Sequence, residues 1–439
     1  MNTYKDILRL GTPVVVGQIG NLVLNFADTF MIGHHSTTEL ASASFINSIF
    51  VLSILFAIGF NIALTPILGP YVGRGEKERV GRVLRSAFWA NGLLCIILVV
   101  VMVLFYVSLP YLGQPEELIP LMRPYLLVNI AALPFAVFAC QMRQFFDTVG
   151  RTKLTMYTVI LANSLNILGN YLLIYGHWGL PELGLLGAGI STGLSRIVMA
   201  TVFCGILLLR EENAVYVKGM REAAEYELRI FFKRINSLGW LSATQATVEI
   251  AAFSLVAIFV GWTGTTPLAA HQVMITISLF FFNFYLGISS AVSIRVSHFV
   301  GLCDTQKIRE VTRAGLFMCM ACACILVLPA YVLRHKLGYL FTTDTEVCRL
   351  VATCIVPMML YQFSDAFQCT FSNALRGLGE MKSMMYASFF AYGLVSMPLS
   401  WFLGILCELG LVGIWCTFPV CLTVAGVLYY IIYYKRLIL

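Results

Sequence analysis

Charge is what this chain has least of. Lys, Arg, Asp and Glu make up 12% of its 439 residues, against about 25% in soluble domains. Apolar residues supply 59% and the mean hydropathy is +0.84. That shortage excludes a soluble globular protein, which needs far more polar surface. Apolar–polar alternation is also missing, which excludes the strands of an outer-membrane barrel. No H-E-x-x-H, no G-x-S-x-G and no clustered His/Asp metal set occurs, so a membrane-embedded enzyme has no candidate constellation. No repeated filter segment argues for a channel. No small-residue cleavage site follows the first apolar run, which is therefore expected to be a membrane helix and not a signal peptide.

Long apolar runs are there instead. About twelve can be drawn, at 11–33, 43–70, 87–109, 123–146, 154–176, 185–209, 235–262, 268–297, 314–334, 347–373, 383–406 and 411–434. Each suffices to cross a hydrocarbon core of about 30 Å as a helix. The chain also repeats itself at an offset of 228 residues: Gly11, Gly33, Gly59 and Gly73 recur as Gly239, Gly261, Gly287 and Gly301. Thr37-Thr38, Leu40-Ala41, Ala63 and Val72 recur as Thr265-Thr266, Leu268-Ala269, Ala291 and Val300. A duplicated bundle of membrane helices is the usual build of a secondary transporter, with its substrate path at the seam of the repeats.

The net charge of +7 does not point to nucleic acid, because 24 of the 29 basic residues sit at the termini or in every second loop. By the positive-inside rule both termini are expected in the cytoplasm, which requires an even number of helices. The segment Arg210–Arg234, with five glutamates among its basic residues, reads as a linker, its apolar end (Ile230, Phe231, Phe232, Ile235) suited to an interfacial helix. The expected organisation is a first lobe over 1–210, a linker over 211–234 and a second lobe over 235–439. Mid-run prolines at Pro13, Pro66, Pro134, Pro329, Pro357 and Pro398 are expected to bend their helices. The thirteen cysteines lie mostly inside apolar runs. Cys319-Met-Ala-Cys322 has no histidine or carboxylate near it, so it reads as small, polarizable packing and not as a redox or metal motif.

Three carboxylates fall well inside apolar runs: Asp28, Glu249 and Asp365. An ionised acid at mid-membrane costs about 2.5–3.5 kcal/mol or more, so it needs a partner or a wet cavity. Asn21, Asn25 and Asp28 share one face of the first helix. Asn163, Asn166 and Asn170 on the fifth helix, with Thr192 on the sixth, are placed to supply an opposite wall. Tyr361 and Asp365 are one turn apart on the tenth helix, with Gln362, Ser364 and Gln368 nearby; Glu249 lies among Gln245 and Thr247 on the seventh. Two carboxylates and a phenol meeting there would share a proton, or would ligate a hard cation through oxygen. His271 is read as a structural hydrogen-bond former outside the site, and Asp147, between Arg143 and Arg151, as solvated or salt-bridged.

At these residues the chain resembles the multidrug and toxic-compound extrusion family, and its NorM-type branch. The resemblance is carried by Pro13, Gln18 and Asp28-Thr29-Phe30-Met31-Ile32-Gly33; by Leu165-Asn166-Ile167-Leu168-Gly169-Asn170-Tyr171; by Ala270-His271-Gln272 and Ala291-Val292-Ser293-Ile294-Arg295-Val296; and by Tyr361-Gln362-Phe363-Ser364-Asp365 with Leu375-Arg376-Gly377. It implies an all-α polytopic membrane protein whose two pseudo-twofold-related six-helix lobes face a central cavity. It also implies a non-enzymatic antiporter of the cell (inner) membrane, a functional monomer in the lipid bilayer, exporting cationic amphipathic drugs against Na+ or H+ with no cofactor. Glu249, Tyr361 and Asp365 would be its second-lobe cation site, with transported Na+ at Glu249 and Asp365. Asp28, Asn166, Asn170 and Thr192, with Asn25 on the same face as Asp28, would be the polar site of the first lobe. Some relatives carry a second acid where this chain has Asn170, which tilts coupling towards the second lobe. The alternative is a flippase or exporter of a lipid-linked or endogenous metabolite with the same fold, but such cavities are lined with basic residues and the mid-run ionisable groups here are chiefly acidic.

Overall fold

The computed structural model describes residues 3–438. Twelve of its helices are long and apolar enough to cross a membrane: α1 (Thr3–His35), α2 (Thr37–Gly73), α3 (Lys77–Tyr111), α4 (Ile119–Thr148), α5 (Thr152–Tyr175), α6 (Gly184–Leu209), α7 (Glu225–Trp262), α8 (Thr265–Gly301), α9 (Thr305–Val332), α10 (Thr345–Leu378), α11 (Met381–Leu406) and α12 (Gly410–Ile438). No strand occurs among the described residues. A lipid environment dictates this, because hydrocarbon offers no partner to a backbone N–H or C=O and a helix satisfies both within itself. Even α5, with 24 residues, reaches about 36 Å at 1.5 Å per residue. The outward surface is lipid-compatible too. On α3, Ile96, Val100, Leu104 and Val107 recur on one face and are 63, 51, 61 and 62% exposed, a stripe that only hydrocarbon would tolerate. The chain is a multi-pass membrane protein.

Local chemistry sets where the helices begin and bend. Asp344 starts α10 by accepting from the backbone N–H groups of Glu346 (2.8 Å) and Val347 (3.3 Å), and Gly379 ends it with φ +82°, a left-handed conformation that suits glycine. The α2 helix is interrupted at Ala63, which places Pro66 in the first turn of the second segment. No intrahelical partner is lost there, because the first N–H groups of a helix have none. Around Pro398 the ladder of α11 relaxes into π-helical turns over Phe389–Ser396 and Phe402–Leu406. Proline removes one donor and crowds the preceding turn, and wider turns relieve both.

The chain forms two compact units, Val16–Ala243, and Thr244–Leu439 together with Met1–Val15. Both divisions fall inside helices, in α1 and in α7. The segment 211–234 belongs wholly to the first unit, and the contacts that hold it are specific. Gly81 on α3 and Gly219 on the short helix Ala214–Arg221 let two backbones touch, so that a Cβ on either glycine would strike the backbone opposite. Arg82 clamps Glu227 through both carboxylate oxygens at 2.9 and 3.0 Å, and Arg151 holds Asn213 at 2.9 Å and Glu212 at 2.8 Å. Ile230–Ile235 does not form an interfacial helix. It is the opening of α7, with Phe231 and Ile235 buried and Phe231 edge-on to Tyr71. In the second unit α8 and α10 cross at Gly377, where an added Cβ would lie 2.6 Å from the Ser293 carbonyl oxygen. That close crossing brings the polar faces of α8 and α10 to one cavity.

Candidate functional site

The second unit holds a half-open cavity of about 490 Å³. Four helices line it. From α7 comes Glu249; from α10 come Tyr361 and Asp365, one turn apart, with Arg376 further along; from α8 comes His271; from α12 come Trp415 and Phe418. Glu249, Tyr361 and Asp365, named from the sequence as a convergent set, thus line one space. Gln362, Ser364 and Gln368 do not line it: the Ser364 hydroxyl pairs with Thr423 at 2.9 Å, and Gln362 is fully buried with no side-chain partner.

Hydrogen bonding gives the two acids different surroundings. Glu249 accepts from the Gln245 amide at 3.0 Å and from the Tyr392 hydroxyl at 3.1 Å. Gln245 in turn accepts from Arg376 at 3.0 Å. Arginine only donates, so the Gln245 carbonyl must face Arg376 and its amide must face Glu249. Arg376, Gln245 and Glu249 therefore form a relay of fixed polarity. Asp365 has no such escort: it is 3% exposed, and its Oδ2 has no protein partner. When all three ionise, Glu249, Asp365 and Arg376 sum to one negative charge around the cavity.

Three of these residues were not expected in the site. Arg376, one of the 24 basic residues counted with the termini and loops, is buried and lines the cavity. Tyr392 carries no sequence signal; it reaches Glu249 from the π-helical stretch of α11. His271 was expected to be a satisfied structural residue. Instead it lines the cavity with neither ring nitrogen bonded to protein, its ring edge-on to Trp415 at 5.8 Å.

The first unit holds the other polar group. Asn170 donates to Asp28 Oδ1 at 2.5 Å, and Asn163 donates to Asn21 at 3.1 Å, so α5 supplies the wall opposite α1 as the asparagine spacing suggests. Asn166 donates to Thr192 (3.1 Å) and Ser195 (3.3 Å) on α6. The Oδ1 atoms of Asn166 and Asn170 are buried without protein partners, and that of Asn170, whose amide holds Asp28, is an acceptor for a proton donor or a hard cation near the carboxylate. Asn25 stands apart: it is exposed, and its backbone carbonyl accepts from Thr29 at 2.9 Å. Asp147 is salt-bridged and not solvated: it is buried, pairs with Arg143 at 3.9 Å and accepts from Thr155 at 2.6 Å.

Comparison with known proteins agrees with the duplicated architecture. The sequence model of the MatE family matches this chain twice, over residues 13–172 and 243–402. A protein of Mannheimia succiniciproducens, named "Probable multidrug resistance protein NorM", is 29% identical over 449 aligned residues, covering 98% of this chain and 93% of that protein. Among solved structures, a MATE protein in complex with MaD3S superposes with a TM-score of 0.91 at 19% identity, covering 100% of this chain and 96% of that one. The eukaryotic MATE transporter AtDTX14 superposes at 0.86 and 20% identity, covering 98% and 95%. At such identities the two structures establish a shared fold. With both halves matched in turn by one family's model, the chain belongs to the MatE family.

Proposed function

We propose that this chain is a cation-coupled antiporter that exports cationic amphipathic drugs by alternating access, taking Na+ or H+ at Glu249 and Asp365 with Tyr361 beside them. The observation that carries this reading is the charge balance of one cavity: two carboxylates, one guanidinium, and an Asp365 oxygen with no protein partner. A net charge of −1 admits one positive charge at neutrality. In a medium of effective dielectric about 20, one unit charge at 4 Å is worth about 4 kcal/mol, so loading the cavity changes the balance between conformations by an amount that matters. A proton neutralises one acid; Na+ uses the carboxylate and phenol oxygens as hard ligands. Either ion is transported cargo, and no resident metal or cofactor is invoked. The polar group around Asp28, Asn166, Asn170 and Thr192 is the secondary site. The name of the 29% identical relative supports drugs as the substrate class, and the basic residues in alternate loops support cytoplasmic placement of both termini; a functional monomer of the inner membrane belongs to the same reading.

The test is efflux of a fluorescent aromatic cation from proteoliposomes, driven separately by a Na+ gradient and by a pH gradient. Efflux under at least one gradient is the expected result. No efflux under either overturns the drug assignment and favours export of a lipid-linked or endogenous metabolite.

A further inference from the structure

One cluster of basic residues breaks the charge placement of the rest of the chain. Arg334, Lys336 and Arg349 are not among the 24 counted with the termini and alternate loops; they gather where α9 gives way to α10, in the second unit. With both termini in the cytoplasm, as proposed above, this connection lies on the outer side of the membrane. A half-open groove of about 380 Å³ runs there between the turn 334–340 and the first turns of α10. His335 and Tyr339 line it from the turn, and Thr345, Arg349 and Thr353 line it from α10. Backbone contact fixes its width: a Cβ on Gly338 would lie 2.8 Å from the Cα of Cys348, so the turn rests directly on the helix.

The groove presents donors. The Arg349 guanidinium and the Tyr339 hydroxyl have no protein partner among the described residues. Arg334 lies over the Tyr331 ring at 4.4 Å and donates through Nε to His335 Nε2 at 3.2 Å. Arginine only donates, so Nε2 is the acceptor and the ring proton sits on Nδ1, a further donor. The nearby acids, Asp344 and Glu346, do not line the groove, and Asp344 Oδ1 is engaged by the N–H groups of Glu346 and Val347. Beyond Thr353 the same face of α10 turns apolar: Val356 and Leu360 follow at i+3 and i+7 and are 50 and 59% exposed. Arginine with hydroxyl and imidazole donors suits a phosphate, and the apolar stripe that continues the groove suits a phosphate that carries an acyl chain.

We propose that this groove binds an anionic phospholipid of the outer leaflet, its phosphate held by Arg349, Tyr339 and His335 and an acyl chain lying along Val356 and Leu360. The leaflet rests on the topology proposed above; the binding does not. Transport has no part in it, so failure of the antiporter reading leaves the lipid site standing.

The test is native mass spectrometry of the purified full chain in detergent, titrated with phosphatidylglycerol and, separately, with phosphatidylcholine, for wild type, Arg349→Gln and Tyr339→Phe. Wild type is expected to retain one more tightly held phosphatidylglycerol than Arg349→Gln, whose affinity at this site falls about tenfold with the charged hydrogen bond. Tyr339→Phe keeps the ring, loses the hydroxyl, and is expected to show a smaller loss. Phosphatidylcholine, whose ammonium offsets its phosphate, is expected to bind more weakly than phosphatidylglycerol in wild type. Millimolar inorganic phosphate is expected to leave the lipid in place. Equal retention of phosphatidylglycerol by wild type and Arg349→Gln overturns the site. Should Arg349→Gln fail to fold, retention in Tyr339→Phe equal to wild type does the same. Phosphatidylcholine held as tightly as phosphatidylglycerol overturns selection for an anion. Displacement by inorganic phosphate overturns the lipid and leaves a site for the free anion.

Discussion

Replacing Gln245 by leucine removes the middle of the Arg376–Gln245–Glu249 relay without changing any formal charge. Two bonds go, each 3.0 Å long and each involving a charged partner. Hydrogen bonds to charged groups contribute about 1.5–3 kcal/mol apiece, so the intact relay is worth about 3–6 kcal/mol, less whatever is recovered when Arg376 swings onto Glu249 directly. That recovery has its own consequence. A direct Arg376–Glu249 pair occupies the carboxylate that a coupling ion needs, so the ion must displace a guanidinium before it binds. The Gln245→Leu protein is therefore expected to lose thermal stability in detergent and to need about 10- to 100-fold more cation for half-maximal effect, the equivalent of one such bond. The assay is thermal inactivation of purified protein combined with a titration of cation-dependent transport in proteoliposomes. A variant as stable as wild type, with the same half-saturating cation concentration, would refute the relay.

Tyr392→Phe deletes the hydroxyl that Glu249 accepts at 3.1 Å and keeps the ring; about a tenfold weaker cation response is expected in the same titration, with folding intact by size exclusion. Asp28→Asn weakens the 2.5 Å bond from Asn170 yet leaves the second-unit cavity untouched, so cation binding to the purified protein is expected to persist while transport slows. Gly377→Ala forces a methyl to 2.6 Å from the Ser293 carbonyl oxygen; overpacking of this kind costs about 1–3 kcal/mol, read as lower yield and earlier aggregation on heating.

Much of this was legible in the sequence, for physical reasons that differ between parts. An acid inside an apolar run is anomalous wherever it sits, which is why Asp28, Glu249 and Asp365 stand out in the sequence. Asparagines four residues apart on a helix share a face, and Asn166 and Asn170 do both point at partners, though different ones: Thr192 and Ser195 for the first, Asp28 for the second. Helix ends were less legible. The apolar run alone starts α7 at 235, but the amphipathic turns before it continue the same helix from Glu225. Residues whose role depends on another helix were not legible at all. Tyr392 meets Glu249 from the π-helical stretch of α11, which the sequence does not announce, and Arg376 reads as a loop cation although α10 carries it to the cavity. His271 was misread because a lone histidine near a helix start gives no hint whether a protein partner waits for it, and here none does.

The central claim is that coupling runs through the second-unit carboxylates. Drug efflux from proteoliposomes, under whichever gradient drives the wild type, compared between Asp365→Asn and Asp28→Asn, tests it most directly. Efflux is expected to lose its cation dependence in Asp365→Asn and to keep it, at a lower rate, in Asp28→Asn. Gradient-driven efflux that survives in Asp365→Asn and vanishes in Asp28→Asn would contradict it and place the coupling site among Asp28, Asn166 and Asn170.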